Sequence, residues 1–202
     1  MTLTKKLVGI AAAGAVVIAM GSQAAVAAPQ SSQHQIPDNV PGFVAHASDV
    51  GATNGATKLH LTVWLQQPNE AALQSLLRSQ YTPRSANYHH WLTPDQFATQ
   101  FAATDEQVAS VRDFLGSQGI TVTSVPGNRL YVNATATVRQ AEQAFNVSID
   151  NYRWHGATYY ANHAAPVIAD PAGSLVSFVG GLDNAPAFRF AGSQPQPSTA
   201  VA

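Results

Sequence analysis

The clearest pattern in the chain is an alternation between residues 59 and 65, in which aliphatic residues at 59, 61, 63 and 65 alternate with His60, Thr62 and Trp64. A period of two predicts a β-strand with one buried face. Leu73, Leu76, Leu77 and Gln80 then fall at helical spacing, and Asn69 is a candidate cap at the start of that segment. The pattern therefore predicts a strand that leads into an amphipathic helix.

Two further helix starts share one signature, a threonine followed three residues later by a glutamine. Thr93 precedes Gln96, with Pro94 at the first helical position, and Thr104 precedes Gln107 in the same way. Threonine and glutamine at this spacing can satisfy each other's backbone donors, and proline suits the first turn. We predict helices beginning at residues 94 and 105, with the second ending near Gly119.

Two hairpins are predicted in the second half of the chain. The first joins residues 120–125 to residues 130–132 through a Pro-Gly-Asn turn, and the second joins residues 147–152 to residues 158–161. A helix capped by Thr135 or Thr137 lies between them. The second hairpin is additional to the simplest two-layer arrangement of these elements.

The order of the elements predicts the fold class. Strand, helix pair, strand, strand, helix and strand give the β-α-β-β-α-β order of an α+β, ferredoxin-like (split βαβ) antiparallel sandwich with an extra hairpin. Residues 171–180, which would supply the last strand, fit a helix or a strand equally well. Such a sandwich leaves one sheet face uncovered by its own helices. Trp64, Tyr131 and Tyr160 are candidates for that face, and each fits an ordinary core position as well.

The two ends of the chain differ in composition from its middle. Residues 1–27 have a basic start, a 14-residue apolar run (residues 7–20) and an Ala-Val-Ala site, which predict a signal peptide cleaved after Ala27 and an extracellular protein. The alternative, a membrane anchor, needs roughly 20 apolar residues. Residues 28–57 read as a flexible lead-in, and residues 185–202 read as a linker and tail.

Composition and charge exclude several classes of function. The chain has no cysteine, which excludes a disulfide scaffold, a zinc–thiolate site and a cysteine nucleophile. After residue 27 it carries eight basic and eleven acidic residues, a net charge of −3, so nucleic acid and anionic membranes are poor partners. All seven histidines also follow residue 27, and their protonation near pH 6.5 would bring the charge to +4.

The sequence contains none of the common catalytic or phosphate-binding motifs that we looked for. There is no G-x-S-x-G elbow, no H-E-x-x-H motif and no glycine-rich phosphate loop. His89 and His90 are adjacent, so their rings diverge on a regular element and a shared metal is not expected. We expect no cofactor and no metal.

Three motifs together carry a resemblance to a known family. They are Tyr-His-His-Trp-Leu-Thr-Pro-Asp-Gln-Phe at residues 88–97, Thr-Tyr-Tyr-Ala-Asn at residues 158–162 and Gly-Leu-Asp-Asn at residues 181–184. In this order and spacing they resemble the activation (pro) domain of the sedolisin, or kumamolisin-like, serine-carboxyl peptidases. The resemblance covers roughly residues 58–184. It implies a propeptide that acts as an intramolecular chaperone and tethered inhibitor of an acid peptidase.

The same resemblance implies that this chain is no enzyme on its own. The family's catalytic part carries its nucleophile in Ser-Gly-Thr-Ser, and a glutamate and an aspartate four residues apart as acidic partners. Neither pattern occurs in the 202 residues. Three explanations stay open: a fragment of a precursor, an independent inhibitor or chaperone acting in trans, or a secreted binding module with a different ligand.

The resemblance also implies a partner and a set of contact residues. The partner is a cognate sedolisin-type catalytic domain, and the free domain is expected to be a monomer. The segment from Leu182 to Phe190 is expected to cross the active-site cleft of that partner. The candidate partner-binding residues are Trp64, His89, His90, Trp91, Tyr131, Tyr159, Tyr160, Leu182, Asp183, Asn184, Phe188, Arg189 and Phe190.

Overall fold

A computed structural model describes residues 32–186 of the chain. These residues form nine strands and four α-helices. The strands are β1 Gln33–Gln35, β2 Ser48–Ala52, β3 Lys58–Leu65, β4 Thr121–Ser124, β5 Tyr131–Thr137, β6 Ile149–Trp154, β7 Ala157–Asn162, β8 Val167–Ala169 and β9 Val176–Gly180. The helices are α1 Glu70–Tyr81, α2 Pro94–Phe101, α3 Asp105–Ser117 and α4 Val138–Phe145.

The main sheet has four antiparallel strands in the order β4-β5-β3-β9. The alternation seen in the sequence becomes the two faces of β3, because Leu59, Leu61 and Val63 are buried while His60 and Trp64 are exposed. The predicted strand is therefore confirmed. Its apolar side chains are the centre of the core of the domain.

Helices α3 and α4 contribute the other half of that core. Val111 and Leu115 from α3 and Val138 and Phe145 from α4 are fully buried in the same cluster as the apolar side chains of β3. One face of the main sheet is thus filled by its own helices. The opposite face carries the alternate residues of each strand.

The predicted helix starts are confirmed in detail. Thr93, Thr104 and Thr137 each accept a hydrogen bond from the backbone N–H three residues on, and the glutamine there accepts one in return from the threonine's N–H. Thr137 is the cap of α4, and Thr135 lies within β5. Asn69 is not a side-chain cap, since its amide instead donates to the carbonyl O of Gln100 at 2.9 Å.

The interpretation of residues 28–57 as a flexible lead-in is wrong for most of this segment. β1 pairs with β8, and β2 joins β6 and β7 in a three-stranded sheet. Ile36 is fully buried in the main core. The side-chain amide of Asn39 pairs with β9, accepting from Val179 N–H at 2.6 Å and donating to Val179 O at 3.0 Å. The segment is therefore part of the domain.

The remaining elements settle the ambiguous segment and the fold class. Residues 173–175 form a 3₁₀ turn and residues 176–180 form β9, which decides in favour of the strand. The chain is an α+β protein, and the β6–β7 hairpin confirms the predicted extra hairpin. The ferredoxin-like assignment stays a prediction. Within residues 32–186, no helix is long and apolar enough to cross a bilayer.

Candidate partner-binding surface

Three aromatic side chains form a row across the open face of the main sheet. In the strand register, Trp64 of β3 lies opposite Tyr131 of β5 on one side and Phe178 of β9 on the other. The rings of Trp64 and Tyr131 are 4.9 Å apart between centroids. Trp64 is 41% exposed and Phe178 is 42% exposed. Large apolar rings held on rigid strands and left in water are typical of a docking surface.

The rest of this face is polar and hydrogen-bonded. Thr62 donates to the amide oxygen of Asn133 at 3.2 Å, and the amide of Asn133 donates to Ser124 at 3.0 Å. His60 and Lys58 continue the exposed positions of β3. The face therefore combines an aromatic patch with a polar surround, the anatomy of many protein–protein interfaces.

A recess of about 250 Å³ adjoins the aromatic row. It lies where the end of β3 meets the start of α1, so Trp64 forms part of its wall. Such a recess has room for a small side chain of a partner. Its lining residues are Trp64, Leu65, Gln66, Gln67, Glu70, Leu130 and Ser177.

A second group of exposed rings lies on the loop between α1 and α2 and on Tyr81, the last residue of α1. His89 stacks on Tyr88 with centroids 3.9 Å apart, and Trp91 meets Tyr81 edge to face at 5.5 Å. Trp91 is 57% exposed. The loop is held by Gln80, a buried polar side chain whose amide donates to the carbonyl O of His90. His89, His90 and Trp91 are thus together on the surface, on a different element from Trp64.

The Gly-Leu-Asp-Asn motif anchors the chain where it leaves the last strand. Gly181 has φ +91°, and a Cβ there would overlap the carbonyl O of His60. Leu182 is buried in the core. Asp183 accepts a hydrogen bond from the backbone N–H of Ala185 at 3.1 Å. Asn184 makes two hydrogen bonds to the backbone of Tyr160. Its side-chain Oδ1 accepts from the Tyr160 N–H at 2.8 Å, and its backbone N–H donates to the Tyr160 carbonyl O at 3.2 Å.

This anchor also perturbs two titratable groups. Burial raises the pKa of the Asp183 carboxyl, although the hydrogen bond from the Ala185 N–H opposes that shift. Burial, followed by the charge of Asp183, raises the pKa of the Tyr160 hydroxyl. Both groups therefore favour their neutral forms more strongly than they would in water.

The predicted contact residues do not all lie on one surface of the structure. Trp64 and Tyr131 share the open face as expected, but Tyr160 lies on β7 in the three-stranded sheet and packs against the main core. Tyr159, on the same strand, packs with Phe43. Leu182 cannot contact a partner without unfolding because it is 1% exposed. Phe188, Arg189 and Phe190 lie outside the described residues, as does the predicted signal peptide.

Sequence reasoning missed three exposed rings, Phe178, Tyr81 and Tyr88. Phe178 follows Val176 by two residues and precedes Val179, a pattern that also fits a helix, so its exposure depended on knowing that the segment is a strand. Tyr81 and Tyr88 flank the loop, and only the folded loop brings them to His89 and Trp91. Within residues 32–186, no three His, Asp or Glu side chains are grouped closely enough to hold a metal ion.

Comparisons with known proteins agree with this architecture. Residues 45–185 match the family described as Pro-kumamolisin, activation domain. The chain is 36% identical over 126 residues to xanthomonalisin from Xanthomonas sp. (strain T-22), covering 62% of this chain and 15% of that protein. It is 32% identical over 175 residues to sedolisin from Pseudomonas sp. (strain 101), covering 83% of this chain and 30% of that protein.

The domain described above is thus a propeptide fold rather than a catalytic one. The chain belongs to the Pro-kumamolisin activation domain family, which confirms the resemblance inferred from the three motifs. It spans less than a third of the length of either curated relative. An activation domain is a propeptide, not the part of a peptidase that carries the catalytic groups.

Proposed function

We propose that this chain is a secreted propeptide domain that acts as intramolecular chaperone and inhibitor of a sedolisin-type acid serine peptidase, either within its precursor or in trans. The observation that carries the proposal is membership of the activation-domain family over residues 45–185. The open aromatic row supplies a surface for the partner, because Trp64 and Phe178 are held rigidly and remain exposed. Docking there would remove their apolar surface from water.

Tethering makes a modest interface sufficient for inhibition. While the propeptide and the peptidase share one chain, their effective concentration is on the millimolar scale, and cleavage of the linker removes that advantage. The segment that would cross the cleft has to begin after Asn184, because residues 181–184 are fixed to the domain. Ala185-Pro186 favours the extended backbone that a substrate groove requires.

The proposal also includes export of the chain from the cell. It rests on the amino-terminal composition and on the predicted cleavage after Ala27. Expression of the full gene with mass spectrometry of the culture medium tests it, and we expect a product that begins at Ala28. A product retained in the cell with its amino terminus intact would contradict export without affecting the role of the domain.

A refolding assay tests the chaperone and inhibitor roles together. The unfolded catalytic domain of a sedolisin-type peptidase is diluted into neutral buffer with and without the chain from residue 28, then acidified and assayed on a peptide substrate. We expect a higher yield of active enzyme when the chain is present, and inhibition at micromolar concentration or below when it is added to folded enzyme. Equal yields and no inhibition across several sedolisins would reject the proposal.

A second candidate is a secreted binding module that keeps the fold for a different ligand. The exposed rings of the α1–α2 loop favour this candidate, because they lie outside the main sheet. It predicts normal folding of the chain and no effect on any sedolisin in the assay above.

A further inference from the structure

One exposed turn of the domain combines an asparagine with a following glycine. Residues 54–57 form the turn between β2 and β3, and Asn54-Gly55 is the only Asn-Gly pair in the sequence. The side-chain Oδ1 of Asn54 accepts a hydrogen bond from the Ala56 N–H at 2.9 Å, and the Asn54 carbonyl O accepts one from the Thr57 N–H at 2.9 Å. The first bond holds the Asn54 side chain against the backbone of its own turn.

The backbone nitrogen of Gly55 is available for reaction. Among the described residues its N–H finds no acceptor, and the Asn54 side chain beside it is exposed. Two other exposed asparagines, Asn87 and Asn146, differ in this respect, because each is followed by a residue with a side chain and a bonded N–H. These bonds join the Tyr88 N–H to Ser85 O at 3.0 Å and the Val147 N–H to Glu142 O at 3.2 Å.

This arrangement suits attack of the Gly55 nitrogen on the side-chain amide of Asn54. The nitrogen gives its proton to water or hydroxide and bonds to Cγ of Asn54, and the Cγ–Nδ2 bond then breaks, so that ammonia leaves and a cyclic imide remains. Water opens the imide at Cγ to give aspartate, or at the main-chain carbonyl carbon to give isoaspartate. The two steps exchange ammonia for water without a change of oxidation state.

The turn itself assists the first step. The Ala56 N–H is bonded to Oδ1, the oxygen on which negative charge develops when Cγ is attacked. A donor that is already in place at a developing oxyanion stabilises the intermediate without reorganisation. Because residue 55 is a glycine, no Cβ obstructs the approach of its nitrogen to Cγ.

The turn is also attached to the start of α4, so a change at residue 54 reaches that helix. The Gly55 carbonyl O accepts from the Arg139 N–H at 3.0 Å, and the Thr57 carbonyl O accepts from the Val138 N–H at 2.8 Å. An aspartate at residue 54 places a negative charge near the N-terminus of α4, where the helix dipole favours it. An isoaspartate lengthens the main chain by a methylene just before Gly55 and so displaces the carbonyl that Arg139 uses.

We propose that Asn54 is a site of spontaneous deamidation, at which water replaces the side-chain ammonia to leave aspartate or isoaspartate. The reaction requires no partner, so it is independent of the function proposed above. It divides the protein into an aspartate form that keeps the turn and an isoaspartate form in which the contact between the turn and α4 is altered.

Peptide mapping of the folded chain from residue 28 tests the proposal. The protein is incubated at pH 8 and at pH 5 and digested with trypsin, which places Asn54, Asn87 and Asn146 in different peptides for mass spectrometry. We expect residue 54 to deamidate at least about tenfold faster than residues 87 and 146 at pH 8. We also expect isoaspartate at residue 54, detected by enzymatic methylation, and a slower reaction at pH 5, because the Gly55 nitrogen must lose its proton.

The test variant is Gly55→Ala, and the matched control is Gly116→Ala. A Cβ at residue 55 would lie 3.5 Å from its nearest neighbour, Nε of Arg139, and one at residue 116 would meet nothing within 4 Å, so both variants fit the fold. We expect G55A to slow deamidation at residue 54 by at least about tenfold and G116A to leave it unchanged. Equal rates at residues 54 and 87, an unchanged rate in G55A, or reaction only after unfolding in urea would overturn the inference.

Discussion

At the scale of single residues, Gly181 has a conformation that no side chain fits. Its φ is +91°, and the carbonyl O of His60 occupies the space of a Cβ. We expect Gly181→Ala to lower the free energy of unfolding by roughly 2–4 kcal/mol, since both strain and a backbone clash are introduced. Urea denaturation measures this.

Gly116 is the control for that substitution. It lies in α3 with nothing within 4 Å of the position that an alanine methyl would occupy, so Gly116→Ala should be neutral or stabilising by about 0.5–1 kcal/mol. Equal effects at the two glycines would show that the Gly181 turn is not the constraint that we describe.

Asp183 predicts a dependence of stability on pH. Burial raises its folded-state pKa above the unfolded value, so the folded protein holds this proton more tightly. The Asp183 contribution to stability is therefore most favourable at acid pH and declines as pH rises through the unfolded and then the folded pKa. Asp183→Asn keeps an acceptor for the Ala185 N–H without the charge.

We expect Asp183→Asn to be more stable than the wild type at pH 7, with the difference shrinking toward zero as the pH falls below both pKa values. Denaturation curves at several pH values between 3 and 7 measure it. A variant that is less stable than the wild type at pH 7 would mean that the charged carboxylate is favoured at this site.

At the scale of elements, the helices were predictable because their signals are local. A threonine and a glutamine three positions apart define a start whatever the rest of the chain does, and all three capping boxes are present. We expect Thr137→Ala to lower the free energy of unfolding by about 1 kcal/mol, since it removes the cap of α4. Thr135→Ala, two positions earlier on the exposed side of β5, should change stability by less than half of that.

Thermal denaturation of the two threonine variants compares them directly. If the Thr135 substitution costs as much as the Thr137 substitution, the α4 cap is not what stabilises this junction. The sequence analysis kept both Thr135 and Thr137 as candidate caps of α4, because each stands before an apolar helical pattern. The glutamine three positions after Thr137, Gln140, completes a capping box, whereas Val138 stands three positions after Thr135, which lies within β5.

The amino-terminal elements could not be predicted, because their partners are far away in the sequence. β2 is exposed along its whole length, so it has no apolar alternation, and its pairing with β6 spans about one hundred residues. Asn39 illustrates the same limit: its amide pairs with Val179, 140 positions away. Phe178 was missed for a related reason, as its exposure depends on neighbours across β3.

We expect Asn39→Ala to lower the free energy of unfolding by roughly 2–3 kcal/mol, because it leaves the N–H and C=O of the buried Val179 without partners. Asn54→Ala is the control, since the Asn54 side chain accepts from the Ala56 N–H in an exposed turn, and its loss should lower the free energy of unfolding by well under 1 kcal/mol. Urea denaturation of both variants measures the difference. Equal costs would mean that the segment before β3 is not integrated in the domain.

At the scale of the whole molecule, the open face and the histidines together predict acid release. Protonation of the seven histidines and neutralisation of carboxylates both make the net charge more positive. Either change can unpair charges across an interface. We expect affinity for a cognate peptidase to weaken between pH 7 and pH 4. Titration calorimetry showing equal affinity at both pH values would remove this idea.

The central claim is that the domain docks through the aromatic row of its main sheet. The direct test is titration calorimetry at pH 7 between a sedolisin-type catalytic domain and the wild type, W64A/F178A and Y81A/W91A, each first shown to be folded by circular dichroism. The last variant removes two rings that are more exposed than Trp64 and Phe178, Tyr81 at the end of α1 and Trp91 on the α1–α2 loop. We predict that W64A/F178A raises the Kd by about 100-fold and that Y81A/W91A changes it by less than about tenfold. Wild-type affinity in W64A/F178A would contradict the account.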